Sequence, residues 1–438
     1  MNNMQCDAKI IRQNEQLMNI LRFYKNIDRS ELSRRLQISM PTVYKSIDEL
    51  SNNGVINKVG NDIFLNEEYA YLIGVSIGSS LCKIVFVNIN FEILKNEQGM
   101  KYKKDICKKI NEIISDNELL NQCWNDESKN YIYFKTPDQF SELKEILDGV
   151  FEYIQESIEQ ESFKVASIGI SCTGIINNKT QTILSAHNLE YLDNSTIESL
   201  VFPGRQKFFN DNQIDIYLVQ NSDASVIAEK INLYKTDSPY KYKKNIISLY
   251  LGVGVGVGIY LNGLYSGTSG YSGEIGHTKA PMYEKDYLNE NNIQADLDKT
   301  CTCGNVDCYD YKIRTYVFQM NKSTFSNLSA SQIRECLYDK NKATLLGKYL
   351  GDMVNTLTNL LNIDLIIFTG KLYKSMDLLY NAIDSVRDDN KLKFSRNDCT
   401  LLTSNYGSLA PAIGAAIYSY YKKYNLKIVW DFIDNIQG

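Results

Sequence analysis

Three cysteines stand within eight residues in CTCGNVDC: Cys301, Cys303 and Cys308, spaced C-x-C-x4-C with a glycine after the second. Thiolates so placed can reach one tetrahedral centre, and a closed site needs a fourth ligand. The chain holds two histidines. His277, in GYSGEIGH, is the candidate and His187 the competitor. The expected centre is a structural zinc with a Cys3His set, because four protein ligands leave no open position for water. The plainer alternative is three free thiols in a loop. The other cysteines are scattered, ten in 438 residues in all. That spacing argues for a reducing cytoplasm and against a disulfide framework.

A second chemical signal is GVGVGVG, residues 252–258. In a strand it puts Gly252, Gly254, Gly256 and Gly258 on one face and the valines on the other. A bare face admits a phosphate close to the backbone, or simply a packed helix.

Strands and helices must position these groups. YLIGVSIGSSLCKIVFVNIN, from Tyr71, reads as a hairpin with small residues at its turn. Residues 165–177, 244–267 and 363–372 have a similar apolar, glycine-broken texture, with helical stretches between them. Strands alternating with helices over this length predict α/β layers in two lobes. Residues 96–135, rich in Lys, Asn, Asp and Glu, read as an inserted or poorly packed helical segment.

The first 66 residues differ from the rest. Ile10, Leu17, Ile20, Leu21 and Tyr24 recur at helical spacing. Asp28 with Glu31 reads as a capping box opening a second helix. Gln37-Ile38-Ser39 is a short turn, and Ser39 caps a third helix with Pro41 in its first turn. Gly54 stops it, and two short strands can follow as a wing. Two helices joined by a tight turn have helix-turn-helix geometry. The outer face of the later helix carries Thr42, Tyr44, Lys45 and Ser46, which can reach base edges, while Arg34 and Arg35 can hold phosphates. Residues 1–60 carry nine Lys/Arg against six Asp/Glu, although the whole chain has net charge −5. Nucleic-acid binding is therefore expected of this head alone. A three-helix bundle with a solvated face is the bland alternative. No apolar run is long enough to span a membrane, and the polar N-terminus is not a secretory signal.

GEIGH followed by C-x-C-G-x3-C, behind a glycine-rich strand and a helix-turn-helix, resembles the ROK family (repressor, open reading frame, kinase) over essentially the whole chain. The resemblance implies a winged helix-turn-helix over 1–66 and an actin/hexokinase-like (ribonuclease H-like) two-lobed domain over 70–438, with a sugar cleft between lobes. It implies that Glu274 and His277 hydrogen-bond sugar hydroxyls, that the histidine also binds zinc, and that Asn188 belongs to a sugar loop. Asp310 stands where the family has a glutamate. Carboxylate, imidazole and amide groups suit a polyhydroxyl ligand.

The kinase motifs are degenerate by the same comparison. Ser76 replaces the aspartate of the first phosphate loop and Val253 the threonine of the second. Asn221, a further cleft residue, replaces the catalytic base, unless the alignment slips by two to Asp223. An amide cannot accept the sugar proton. The expectation is a sugar-responsive DNA-binding regulator of carbohydrate metabolism, a homodimer or homotetramer with no catalytic residue. An ATP-dependent sugar kinase is the alternative.

Overall fold

A computed structural model describes residues 2–24, 27–95, 97–113, 130–160, 164–286, 300–389 and 399–426. The head consists of α1 (Asn2–Phe23), α2 (Arg29–Leu36) and α3 (Met40–Asn52), then β1 (Ile56–Val59) and β2 (Asp62–Leu65) paired antiparallel. Leu17, Ile20 and Leu21 of α1 bury against Leu32, Val43, Ile47 and Leu50. Asp28 caps α2 by accepting the Glu31 N–H at 2.8 Å. The expected capping box is only half built. The Glu31 carboxylate turns to Arg34 and Arg35, both at 2.6 Å, instead of back to the cap. Gln37, at φ 53°, makes the tight turn, and Ser39 caps α3.

The body holds two large sheets and a small three-stranded one over residues 175–177, 182–185 and 195–196. The first is built from β3 (Tyr71–Ile77), β4 (Leu81–Asn88), β5 (Ile132–Lys135), β6 (Val165–Cys172) and β7 (Asp215–Gln220), in the order β7-β6-β3-β4-β5. The second is built from β8 (Asn245–Leu251), β9 (Val255–Leu261), β10 (Leu365–Gly370) and β11 (Thr400–Thr403), in the order β9-β8-β10-β11. Both are mixed: β7, β6 and β3 run parallel, as do β8, β10 and β11. The principal helices are α4 (Glu97–Ile113), α5 (Phe140–Glu159), α6 (Asn221–Lys235), α7 (Lys340–Leu361) and α8 (Ala410–Lys423).

The described part of the stretch 96–135 is helical over α4, as the sequence suggests, but it is packed and not loose. Tyr102, Ile106 and Ile110 of α4 are buried in one cluster with α5, and β5 pairs with β4. Apolar positions at helical spacing were masked by the surrounding lysines. Residues 96 and 114–129 lie outside the described residues.

Helices α6 and α8 pack against each other, α8 lies on the first sheet, and α6 touches both sheets. Their contact is backbone-close, since a Cβ on Gly414 would lie 1.7 Å from the Ala224 carbonyl oxygen. Asn221, at the start of α6, reaches the cleft. Tyr234 near the end of α6 stacks on Phe23 of the head, ring centroids 5.2 Å apart. Arg22 of α1 is buried, donating to the Ile89 carbonyl at 2.8 Å and the Tyr420 hydroxyl at 2.7 Å, with its guanidinium over the Phe91 ring.

Candidate functional site

A cleft of about 260 Å³ is lined by residues of both sheets. Asn188, Asn221, Glu274, His277 and Asp310 all line it, so the structure brings together five residues spread over more than a hundred positions. Gly273 and Gly276 make this assembly possible. A Cβ on Gly273, at φ 85°, would sit 1.9 Å from the Val257 carbonyl, which ties the Glu274–His277 turn to β9. A Cβ on Gly276 would meet an Asp310 oxygen at 2.4 Å. Gln220 Nε2 donates to Glu274 at 2.8 Å, and the Val255 N–H donates to Asp310 Oδ1 at 2.8 Å. The remaining oxygens of the two carboxylates lie 4.0 and 3.9 Å from His277 Nε2. Burial pushes the Asp310 carboxyl up to about 6. The wall thus offers acceptors on both sides of one imidazole nitrogen.

The other imidazole nitrogen faces sulfur. His277 Nδ1 is 3.7 Å from Cys301 Sγ, and Cys303 and Cys308 Sγ are 3.9 Å apart. The ligand atoms of His277, Cys301, Cys303 and Cys308 all lie within 4.8 Å of one another, a group that could hold a metal ion. A tetrahedron with metal–sulfur bonds of about 2.3 Å has edges of about 3.8 Å, so the set fits. The hydrogen bond from Cys308, with His277 behind it, holds Cys301 well below the ordinary thiol range. A thiolate is the form a metal requires. His187 stays outside the group. It lines the cleft, its ring 5.7 Å from that of His277, with Nδ1 3.2 Å from Ser185 Oγ. Beneath the metal loop, buried Lys312 bridges Glu284 at 3.0 Å and the Pro281 carbonyl at 2.9 Å, and Tyr349 donates to the same Glu284.

Opposite them, Asn221 meets neutral partners. Ser76 Oγ donates to Asn221 Oδ1 at 3.3 Å, and Asn221 Nδ2 donates to the Ile77 carbonyl at 3.3 Å. Asp223 does not line the cleft. It is buried against Ser266, and burial pushes its carboxyl up to about 7. The glycine run divides in two. Gly252 and Gly254 line the cleft in the turn between β8 and β9, whereas Gly258 packs on α6, where a Cβ would meet the Ser222 carbonyl at 1.9 Å. The packed-helix alternative is thus realised at Gly258, while at Gly252 and Gly254 a Cβ would meet the Tyr250 ring at 2.9 Å and the Asp310 carboxylate at 2.4 Å.

On the head, Thr42, Tyr44 and Lys45 are exposed on α3 and Ser46 is half-buried. Arg34 is exposed and paired with Glu31. Arg35 is half-buried and shares the Glu31 carboxylate with Arg34. Its guanidinium is held by Glu31 and lies 4.0 Å above the Tyr24 ring, an intrahelical pair that the i,i+4 spacing favours. Sequence reasoning also missed Arg29 over Tyr44 and Gln220 behind Glu274. The second was legible in hindsight, since Gln220 ends the strand that delivers Asn221.

The ROK family model matches residues 119–420. The chain belongs to the ROK family. It is 22% identical over 432 residues to the xylose repressor of Bacillus subtilis strain 168, covering 93% of this chain and 95% of that protein. Its identity to the xylose repressor of Bacillus spizizenii is 21%, with the same coverage. In architecture it is similar to a ROK family transcriptional regulator described as a homolog of the E. coli MLC protein. That likeness has a TM-score of 0.63 at 16% identity over 98% of this chain and 100% of that one. A ROK glucokinase from Streptomyces griseus matches 80% of this chain and 99% of its own, with a TM-score of 0.52 at 16% identity. This ROK chain accordingly has the actin/hexokinase-like α/β fold of the family, and no helix among its described residues is long and apolar enough to cross a membrane.

Proposed function

We propose that this ROK chain is a sugar-responsive, DNA-binding transcriptional regulator, most simply a repressor. One observation carries the reading. Glu274, His277, Asp310 and Asn188 converge on one cleft in a chain whose head packs directly on the same body. Residues 1–66 are the operator-binding unit and residues 70–438 the effector-binding unit. The protein acts in the cytoplasm as a homodimer or homotetramer, and effector binding alters the disposition of paired heads by favouring one of two conformations. The Cys3His group holds one structural zinc, which fixes the turn carrying Glu274 and His277. Relatives named xylose repressor make pentoses the first sugars to test.

The chain is not a kinase in this reading. Phosphoryl transfer needs a base and a metal-organising carboxylate near the transferred group. The carboxylates lining the cleft, among the described residues, are Glu274 and Asp310, both on the sugar wall. The test combines three measurements on the full chain. Thermal-shift screening against pentoses and hexoses should identify a stabilising sugar. That sugar should weaken retention of DNA taken from upstream of the protein's own coding region. ADP release with the same sugar should stay at background. Steady sugar-dependent ADP production would make the protein a kinase, and a stabilising sugar that leaves DNA retention unchanged would remove the regulatory reading.

A further inference from the structure

The cleft extends beyond its hydrogen-bonding wall. Tyr131 and Tyr133 also line it. They stand at alternate positions just before and within β5, so their rings share one side of the strand, with centroids 5.8 Å apart. The other side of β5 carries Ile132 and Phe134, buried in one cluster with α5. Tyr133 pairs across the ladder with Lys83 of β4, whose ammonium is held by the Ser408 carbonyl at 2.8 Å. Helix α8 covers β6, β3, β7 and β4, and β5 is the edge strand beyond them. Both tyrosines are half-buried, with ring surface turned to the cleft.

Their place in the sheet sets a distance. Glu274 takes its hydrogen bond from Gln220, the last residue of β7, and Asn221 follows directly. The hydroxyl-binding wall therefore stands at the β7 edge of the first sheet, whose order is β7-β6-β3-β4-β5. The tyrosines stand at the opposite edge. Four strand spacings separate the two edges, about 19 Å at the ordinary distance between neighbouring strands. One sugar ring does not cover that span. The cleft residues in between follow the ends of β6 and β3, and they are small and uncharged: Thr173 and Gly174, then Gly78, Ser79 and Ser80.

We infer that the cleft takes a neutral saccharide of two or three rings, one hydrogen-bonded to Glu274 and His277 and a further one stacked on Tyr133 and Tyr131. This rests on the sugar reading above and deepens it, from a free monosaccharide to a short oligosaccharide as the effector class. A sugar ring has an apolar C–H face and a polar rim. Tyrosine matches both, with a flat apolar body and a hydroxyl at its tip. Ligand pockets combine such aromatic area with a few fixed polar groups. Here the polar groups lie at one edge of the sheet and the aromatic pair at the other, so a ligand must be long to use both.

The experiment is calorimetric titration of the full chain with D-xylose, D-glucose, the α- and β-linked di- and trisaccharides of each, and ATP. The best longer saccharide should bind about 10- to 100-fold tighter than its own monosaccharide, the scale of stacking a ring on aromatic side chains. Tyr131→Thr and Tyr133→Thr, combined in one protein, keep strand propensity; they should remove most of that advantage and leave monosaccharide affinity within about twofold. Tyr133→Phe should keep the advantage, since stacking needs the ring and not the hydroxyl. Equal binding of monosaccharides and longer saccharides, or a Thr variant with the advantage intact, sinks the platform and leaves the sugar reading standing. Tyr133-dependent binding of ATP with no preference for longer saccharides gives the platform to a nucleotide and overturns the inference. No binding of any sugar, short or long, sinks the sugar reading and the inference with it.

Discussion

The two sides of the cleft solve opposite problems. On the His277 side, charge is dense and every group is braced. Glu274 is held by Gln220, Asp310 by the Val255 N–H, and His277 by the thiols at its back. On the Asn221 side, an amide and a hydroxyl satisfy each other, and the nearby carboxylate of Asp223 is turned away to Ser266. The first arrangement keeps polar groups aimed at a ligand. The second keeps polar groups quiet. In the regulator reading proposed above, binding and transfer are separable in one cleft, because they draw on different side chains from different elements.

The largest test of the braced side removes its brace. Cys308→Ala, or prolonged chelation, should release about one zinc per chain and lower the thermal midpoint sharply. Structural zinc in such sites contributes on the order of 10 kcal/mol. Metal analysis of the purified protein checks the stoichiometry, and absence of zinc removes the assignment. A second cut lies beneath the loop. Lys312→Met strands the Glu284 charge and should cost about 3–5 kcal/mol in denaturant unfolding. An unchanged midpoint would mean that the loop does not depend on that pair.

A pH scan sharpens the quiet side. Burial raises both Asp223 and Glu229 to about 7. The folded chain therefore keeps protons that the unfolded chain releases above about pH 4. The stability from these two groups is full below that value and is lost as pH rises toward 7, by a few kcal/mol in order of magnitude. Asp223→Asn should flatten roughly half of that slope, and an equally steep slope in the variant would place the titration elsewhere. Glu274→Ala should weaken sugar binding about 10- to 100-fold, the loss of hydrogen bonds to a charged group, while leaving retention of DNA unchanged. The smallest effect belongs to the head. Lys45→Ala should reduce the salt slope of DNA binding by about one charge, and a slope identical to the parent would move the contact off α3.

Much of this was legible in the sequence, for identifiable reasons. The head was readable because caps, turn and apolar spacing are local. The metal group was readable because three of its ligands are close in sequence, and one of only two histidines is the fourth. The cleft residues were reached through the ROK resemblance, since no periodicity links Asn188 to Asp310. What stayed hidden depends on tertiary placement. The partners of Arg35, the Glu31 carboxylate and the Tyr24 ring, could not be read from its place in the sequence. Residues 96–135 looked loose because their lysines outnumber the few apolar positions that α4 buries.

Arg22 has a practical consequence for how the molecule comes apart. Its guanidinium is enclosed by Phe91 and Tyr420, and the head's apolar core is continuous with the cluster around α6 and α8. Cutting the chain near residue 66 would not release a tethered bead. It would open an aromatic socket on the body and strip the head of the surface that orders α1. Scanning calorimetry of the intact chain should accordingly record head and body melting together in a single cooperative transition, and the excised body should precipitate more readily than the whole.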